Sequence, residues 1–270
     1  MALVSDVTTT QLSGQNHIDS LLDSGPGWNW LAPTRNILYY TFSVASGNET
    51  GTSSISGGVT AFNATQQSAC LNQLAYISQL TGITFSAAAD GTSADLHFAN
   101  TNIVTSSSTS GLCSWGYNYS YDGTNTVTSY TADAYVYLDN AEWLALNTTP
   151  LAGNDGYEVL LHELGHALGL KHPFDGAPTL PAAQDNTANT VMSYTGSGGP
   201  YSTFSPYDEA ALLWIYGNDG LGGSLGVATP GKYIIGNTST NSISGNSGND
   251  KPLRRQRQRH SLRRQGKRHF

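Results

Sequence analysis

Residues 157–173 read Tyr157-Glu-Val-Leu-Leu-His162-Glu163-Leu-Gly-His166-Ala-Leu-Gly169-Leu-Lys-His172-Pro173. Residues four apart share a helix face, so a helix here presents His162 and His166 side by side while Leu161, Leu164 and Leu168 turn inward. Glu163 then stands next to that pair without needing to be a ligand. Gly169 falls where the helix needs a residue able to take positive φ, and a reversal there brings His172 back as a third imidazole. Three histidines around one zinc ion leave a fourth position for water, which is the catalytic arrangement and not the closed structural one. The chain has only seven histidines, and three of them, a glutamate and a glycine stand at these offsets. Each has its own geometric task, so the full pattern is far more specific than H-E-x-x-H alone.

Around this segment the chain reads as an alternation of strands and helices. Ile37-Leu-Tyr-Tyr-Thr-Phe42 is rich in β-favouring residues. From Asn63 to Leu80, Cys70, Leu74 and Ile77 recur at helical spacing and Gly82 stops the run, predicting a long helix across a sheet. Further strands are expected at 83–85, 94–98 and 132–138, and a short helix at Asn16 to Leu22. The Ser/Thr/Gly/Asn stretches at 105–110 and 118–130 read as loops or hairpin tips. His97, inside a strand, reads as structural. Cys70 and Cys113 permit one disulfide at most, and a lone Cys in a helix reads first as a small buried residue.

The formal net charge of −7 conceals a split. Nine of the 12 Lys and Arg residues lie in 251–270, where there is no acidic residue. Residues 1–250 keep Arg35, Lys171 and Lys232 against all 19 acidic side chains, a net of −16. So acidic a body repels phosphate backbones, which argues against nucleic acid and for an exported or calcium-collecting protein. No run approaches the ~18 apolar residues of a membrane span. The opening Met1-Ala-Leu-Val-Ser-Asp has neither the basic region nor the apolar core of a signal peptide, so export would use another route.

The eleven-residue histidine pattern resembles the metzincin clan of zinc endopeptidases. Val191-Met192-Ser193-Tyr194 looks like that clan's Met-turn, with Met192 as a structural hydrophobic base under the metal. Tyr194 resembles the phenol that astacins and serralysins bring to the metal. Ser205-Pro-Tyr-Asp208 through Gly217 is similar to the helix that closes the serralysin catalytic domain, and Asn16 to Leu22 to its opening helix. Lys171 and Phe174-Asp175 depart from the usual serralysin sequence, and serralysins generally lack cysteine. The resemblance implies an α+β fold over residues 1–217, a twisted, mostly parallel sheet with an antiparallel edge strand, long helices and an active-site helix. It also implies the chemistry: zinc on His162, His166 and His172, with Tyr194 as a further ligand at rest that swings to donate to the oxyanion. Glu163 is the general base for the zinc-bound water. A peptide substrate would add as a strand to a sheet edge, for which residues 132–138 are the candidate.

After Gly217 a nine-residue period appears: Ile234 and Ile243, Gly236 and Gly245, Asn237 and Asn246. With Gly245-Asn-Ser-Gly248-Asn249-Asp250 it resembles the start of an RTX parallel β-roll over 218–250, truncated here. Gly245, Gly248 and Asp250 are the candidate calcium ligands. The basic tail 251–270 keeps the period, since Arg257-Gln-Arg259 and Gly266-Lys-Arg268 follow Gly248-Asn-Asp250 at nine-residue steps. The bases C-GGC-AAC-GAC-AC encode Arg-Gln-Arg-His in one frame and begin Gly-Asn-Asp-Thr in the next, so the tail reads as an out-of-frame, disordered translation of further repeats. The whole is expected to be a secreted, extracellular zinc endopeptidase, exported by a type I-like route whose C-terminal signal is missing here. It would act as a monomer on protein or peptide substrates, with a protein inhibitor as a further partner. The alternative is a catalytically silent zinc-fold binding or inhibitory module.

Overall fold

A computed structural model describes residues 2–31, 35–218 and 220–222, together with the backbone of four short strands beyond them. The elements up to residue 216 are α1 (Val4–Thr8), α2 (Asn16–Asp19), β1 (Ile37–Thr41), β2 (Ile55–Ala61), α3 (Ala64–Thr81), β3 (Thr84–Ala87), β4 (Leu96–Ile103), β5 (Gly111–Tyr121), β6 (Val127–Asp139), α4 (Leu144–Asn147), α5 (Asp155–Ala167) and α6 (Pro206–Tyr216).

These strands form one mixed sheet in the order β3-β1-β4-β6-β5, with β2 also paired to β4. β3, β1, β4 and β6 run parallel, whereas β5 runs antiparallel to β6 and β2 antiparallel to β4. β1 and β2 divide one edge of β4: Tyr40 and Thr41 pair with Leu96 and His97, while Val59 to Ala61 pair with residues 99–101. The sheet edge expected at 132–138 is therefore a correction, because those residues lie inside β6 with β4 on one side and β5 on the other. Among the described strands of this sheet, β5 is the outer one beside β6.

The long β5–β6 ribbon also replaces most of the loop expected at 118–130. In β5, Trp115, Tyr117, Tyr119 and Tyr121 alternate with Gly116, Asn118 and Ser120, a two-residue period diluted by the polar face. Only residues 122–126 turn, held by Asp122 Oδ1, which accepts from the backbone N–H groups of Thr124 and Thr126. β2 has no counterpart in the sequence reading. Gly57 and Gly58 interrupt it at φ 76° and 79°, at a bulge between Ser56 and Val59.

α3 begins at Asn63, whose side chain accepts from the Gln66 N–H while Gln66 reaches back to the Asn63 N–H. It ends at Gly82 in the left-handed conformation, φ 76°. Cys70, Leu74 and Ile77 from α3 pack with Leu160, Leu161 and Leu164 from α5 and with Leu96, Phe98 and Val136 from the sheet, all buried in one core. Each such aliphatic side chain contributes about 1.5–3 kcal/mol by leaving water. A smaller cluster, Ala99, Ile103 and Tyr137, covers the other face. Both cysteines are free, Cys70 inside α3 and Cys113 on β5.

The remaining strands are β7 (Tyr233–Ile235), β8 (Asn241–Ser244), β9 (Lys251–Leu253) and β10 (His260–Arg263), paired in parallel as β7 with β9 and β8 with β10. β9 and β10 fall in the tail expected to be disordered; the rest of that tail lies outside the described residues, as do Gly245, Gly248 and Asp250.

Candidate active site

α5 starts where the Asn154 side chain accepts from the Tyr157 N–H at 3.0 Å. Its inward face carries Leu160, Leu161, Leu164 and Ala167, so the helix orientation is fixed by the core and the facing edge carries His162 and His166. At its end Gly169 takes φ 92°. The chain is then tied down by β-type contacts with the segment after α2: the N–H of Lys171 donates to Leu21 O and that of Asp23 to Gly169 O, both at 2.9 Å. This returns His172 to the helix.

The three imidazoles converge. His172 Nε2 lies 3.3 Å from His162 Nε2 and 3.1 Å from His166 Nε2. A tetrahedral ion with metal–nitrogen bonds of about 2.0–2.1 Å requires its nitrogens about 3.3–3.4 Å apart, so the donor set fits zinc. Each ring is oriented through its other nitrogen. His162 Nδ1–H donates to Val191 O and His166 Nδ1–H to Leu170 O, both at 2.8 Å, and His172 Nδ1–H donates to Asp175 Oδ2 at 2.7 Å. These bonds leave the Nε2 lone pairs facing one point. Burial pushes His162 down to about 4 and His166 well below the usual histidine range, which keeps both neutral.

Glu163 is 5% exposed, its side chain against the start of β5 at Gly111. Burial pushes its carboxyl up to about 8, opposed by the Cys113 backbone N–H that donates to it. A cation among the three Nε2 atoms would draw it down again. Gly111 makes room for this side chain: a Cβ there would lie 2.7 Å from Glu163 Oε1. Because the Cys113 N–H reaches Glu163, it does not serve the ladder to β6, so the backbone groups of alternate β5 residues face the open edge.

Beneath the histidines, Met192 is fully buried, and a Cβ on Gly165 would lie 2.5 Å from its Sδ. The turn is held by Asp208, which caps α6 through the Ser205 N–H at 2.9 Å and also accepts from the Val191 N–H at 2.8 Å and Thr190 Oγ1. Since Val191 O orients His162, one buried carboxylate links α6 to the histidine cluster. Tyr194 is 72% exposed, its ring centroid 4.7 Å from that of His172 and 6.0 Å from that of His162. Phe174 lies flat on His172, centroids 5.0 Å apart and planes 5° apart.

His162, Glu163, His166, Gly169, His172, Met192 and Tyr194 thus gather in one place. Gly111, Phe174, Asp175 and Asp208 join them, none of them given a place in the site by the sequence reading. For Asp208 a signal existed, since Ser205-Pro-Tyr-Asp208 is a capping box; its second task, across to residues 190–191, has no local signature. Among the described residues, no other cluster of histidine, cysteine or acidic side chains has metal-binding geometry.

The Matrixin family profile matches residues 55–182. A Metallopeptidase AprA of Pseudomonas marginalis is 31% identical over 180 residues, covering 62% of this chain and 35% of its own length. A Metalloprotease AprA of Pseudomonas entomophila is 42% identical over 101 residues, 30% of this chain and 21% of its own. A Serralysin of Proteus mirabilis is 34% identical over 124 residues, 36% of this chain and 25% of its own. The chain thus spans about a third or less of the length of these relatives. These matches run through a chain in which helix, returning loop and methionine turn meet at one metal-sized point, and they make it similar to the Matrixin family over residues 55–182 and to serralysin-type metalloproteases.

Proposed function

We propose that the chain is a zinc-dependent endopeptidase that hydrolyses internal peptide bonds of proteins, with Glu163 as general base and acid. The observation that carries this reading is the convergence of three oriented histidine Nε2 atoms beside a buried carboxylate, at the start of an open sheet edge. The names of the relatives, metallopeptidase, metalloprotease and serralysin, agree with it.

Zinc, when bound by His162, His166 and His172, supplies Lewis acidity to the scissile carbonyl and lowers the pKa of water from about 16 to near 7. The residues do the rest. An extended peptide adds to the open edge of β5, whose outward N–H and C=O groups hold its backbone. Glu163 removes a proton from the attacking water and carries it to the leaving amine. Tyr194, exposed beside His172, donates its phenolic hydrogen to the oxyanion as it develops. A module that only binds has no use for Glu163, since an idle buried carboxylate is costly.

The finer parts rest on the resemblance. Residues 218–250 would begin a calcium-binding repeat region, with Gly245, Gly248 and Asp250 as ligands. The protein would act outside the cell, as a monomer and subject to a protein inhibitor. Among the described residues no helix is long and apolar enough to cross a membrane. Casein cleavage with and without a zinc chelator, for wild type and Glu163→Ala, tests the reading. Cleavage abolished by chelator, restored by zinc and absent in Glu163→Ala is expected; activity that survives either treatment refutes it.

A further inference from the structure

We propose that the cleft beside the histidines selects lysine or arginine at the substrate residue following the scissile bond; this rests on the peptidase reading above. The cleft measures 430 Å³ and opens directly on His162 and Glu163. Residues 108–111 wall it on the strand side, the methionine turn on the other, and the first turns of α5 form its floor. A peptide paired antiparallel with β5 runs its downstream residues past Gly111 toward 108–110, so the side chain that enters is the one just after the cut.

The lining suits a long cation. Among the described residues that line it, the aliphatic side chains are Val159 and Val191; the rest is hydroxyl and carboxylate apart from Gly111 and the site's own residues. Asp155 and Glu158, three apart on α5, share a face. Glu158 Oε2 accepts from the Tyr201 backbone N–H, which fixes the side chain, and no described donor takes Oε1. Among the described residues no Lys or Arg lines the cleft, so no described basic side chain within it offsets the two carboxylates. A lysine or arginine can lay its methylene stem along Val159 and Val191 and carry its charge to Asp155 and Glu158. A leucine would strip water from those carboxylates without replacing it, and a glutamate would be repelled. The acidic pair alone would mean little; the cleft gives it meaning by joining it to Glu163. The net charge of the body draws cationic peptides the same way.

The test uses the full chain loaded with zinc and matched peptides bearing Lys, Arg, Leu or Glu after a single cleavable bond, with cut sites read by mass spectrometry. We expect kcat/KM for Lys and Arg to exceed that for Leu about tenfold, the effect of one or two partly exposed charge pairs, and the advantage to shrink with salt. Glu158→Gln, which keeps an acceptor for Tyr201, should reduce the Lys/Leu ratio several-fold, and Asp155→Asn, outside that contact, should do so independently. Cleavage that favours Leu, or a ratio unmoved by both variants, overturns the inference and leaves the peptidase standing. A zinc-loaded chain that cuts none of the peptides, casein included, overturns the peptidase reading itself.

Discussion

Gly111→Ala separates the carboxylate from the metal. The new Cβ would lie 2.7 Å from Glu163 Oε1, 2.8 Å from Glu163 Cγ and 2.8 Å from Val159 Cγ1. Ordinary carbon contacts are about 3.5–4.0 Å, so something must yield by about 1 Å. Val159 sits on the rigid α5 and Glu163 is buried, so the yielding group is the Glu163 carboxylate or the rim of β5, and either moves the base relative to the bond it serves. A misplacement of about 1 Å costs about 10²-fold in rate, and overpacking costs about 1–3 kcal/mol of stability. The three histidine rings are untouched, so zinc affinity should stay within a few-fold of wild type. The assay is kcat on a peptide at saturating zinc, with zinc affinity by chelator competition and stability by urea unfolding. Full activity in a folded Gly111→Ala chain, or a loss traced entirely to zinc release, would refute the placement of Glu163 against β5.

Asp175→Asn weakens the acceptor that orients His172, and zinc affinity should fall about 10–100-fold, the usual effect of losing such a partner; chelator competition measures it. Asp208 gives a pH signature. Burial pushes its carboxyl from 3.8 up to about 7, against the three donors that favour its charged form. A raised folded-state value means that the folded chain holds a proton the unfolded chain releases, so this contribution is fully present below pH 4 and lost as pH rises through about 7. The change is on the order of 4 kcal/mol at about 1.36 kcal/mol per unit. Asp208→Asn should flatten this part of the urea-midpoint profile, while Asp208→Ala, which strands the Val191 and Ser205 N–H groups, should lose about 3 kcal/mol or more; superimposable profiles for wild type and Asp208→Asn would contradict the account.

The site was legible where one short segment carries the whole geometry. His162, His166, Gly169 and His172 declare themselves because helix periodicity and a single turn suffice to bring them together. The long helix was legible for the same reason, with Asn63, Gln66 and Gly82 marking its ends. What stayed hidden depends on distant pairing. β5 looks polar because every second residue faces water, and its position at the sheet edge follows from β6 pairing on its other side with β4, which no local pattern encodes. β2 is masked by Gly57-Gly58. Asp175 was visible only as a departure from a familiar sequence, and its hydrogen bond to His172 appears once the loop has closed.

In the proposed mechanism Glu163, beside a zinc held by three histidines, performs the hydrolysis. The most direct test measures bound zinc and peptide cleavage together in wild type and Glu163→Gln. One zinc per chain in both proteins, with kcat in Glu163→Gln reduced about 10²-fold or more, the lower end of general-base effects, is the result expected. Cleavage by Glu163→Gln at the wild-type rate, or by wild type stripped of zinc, would contradict it.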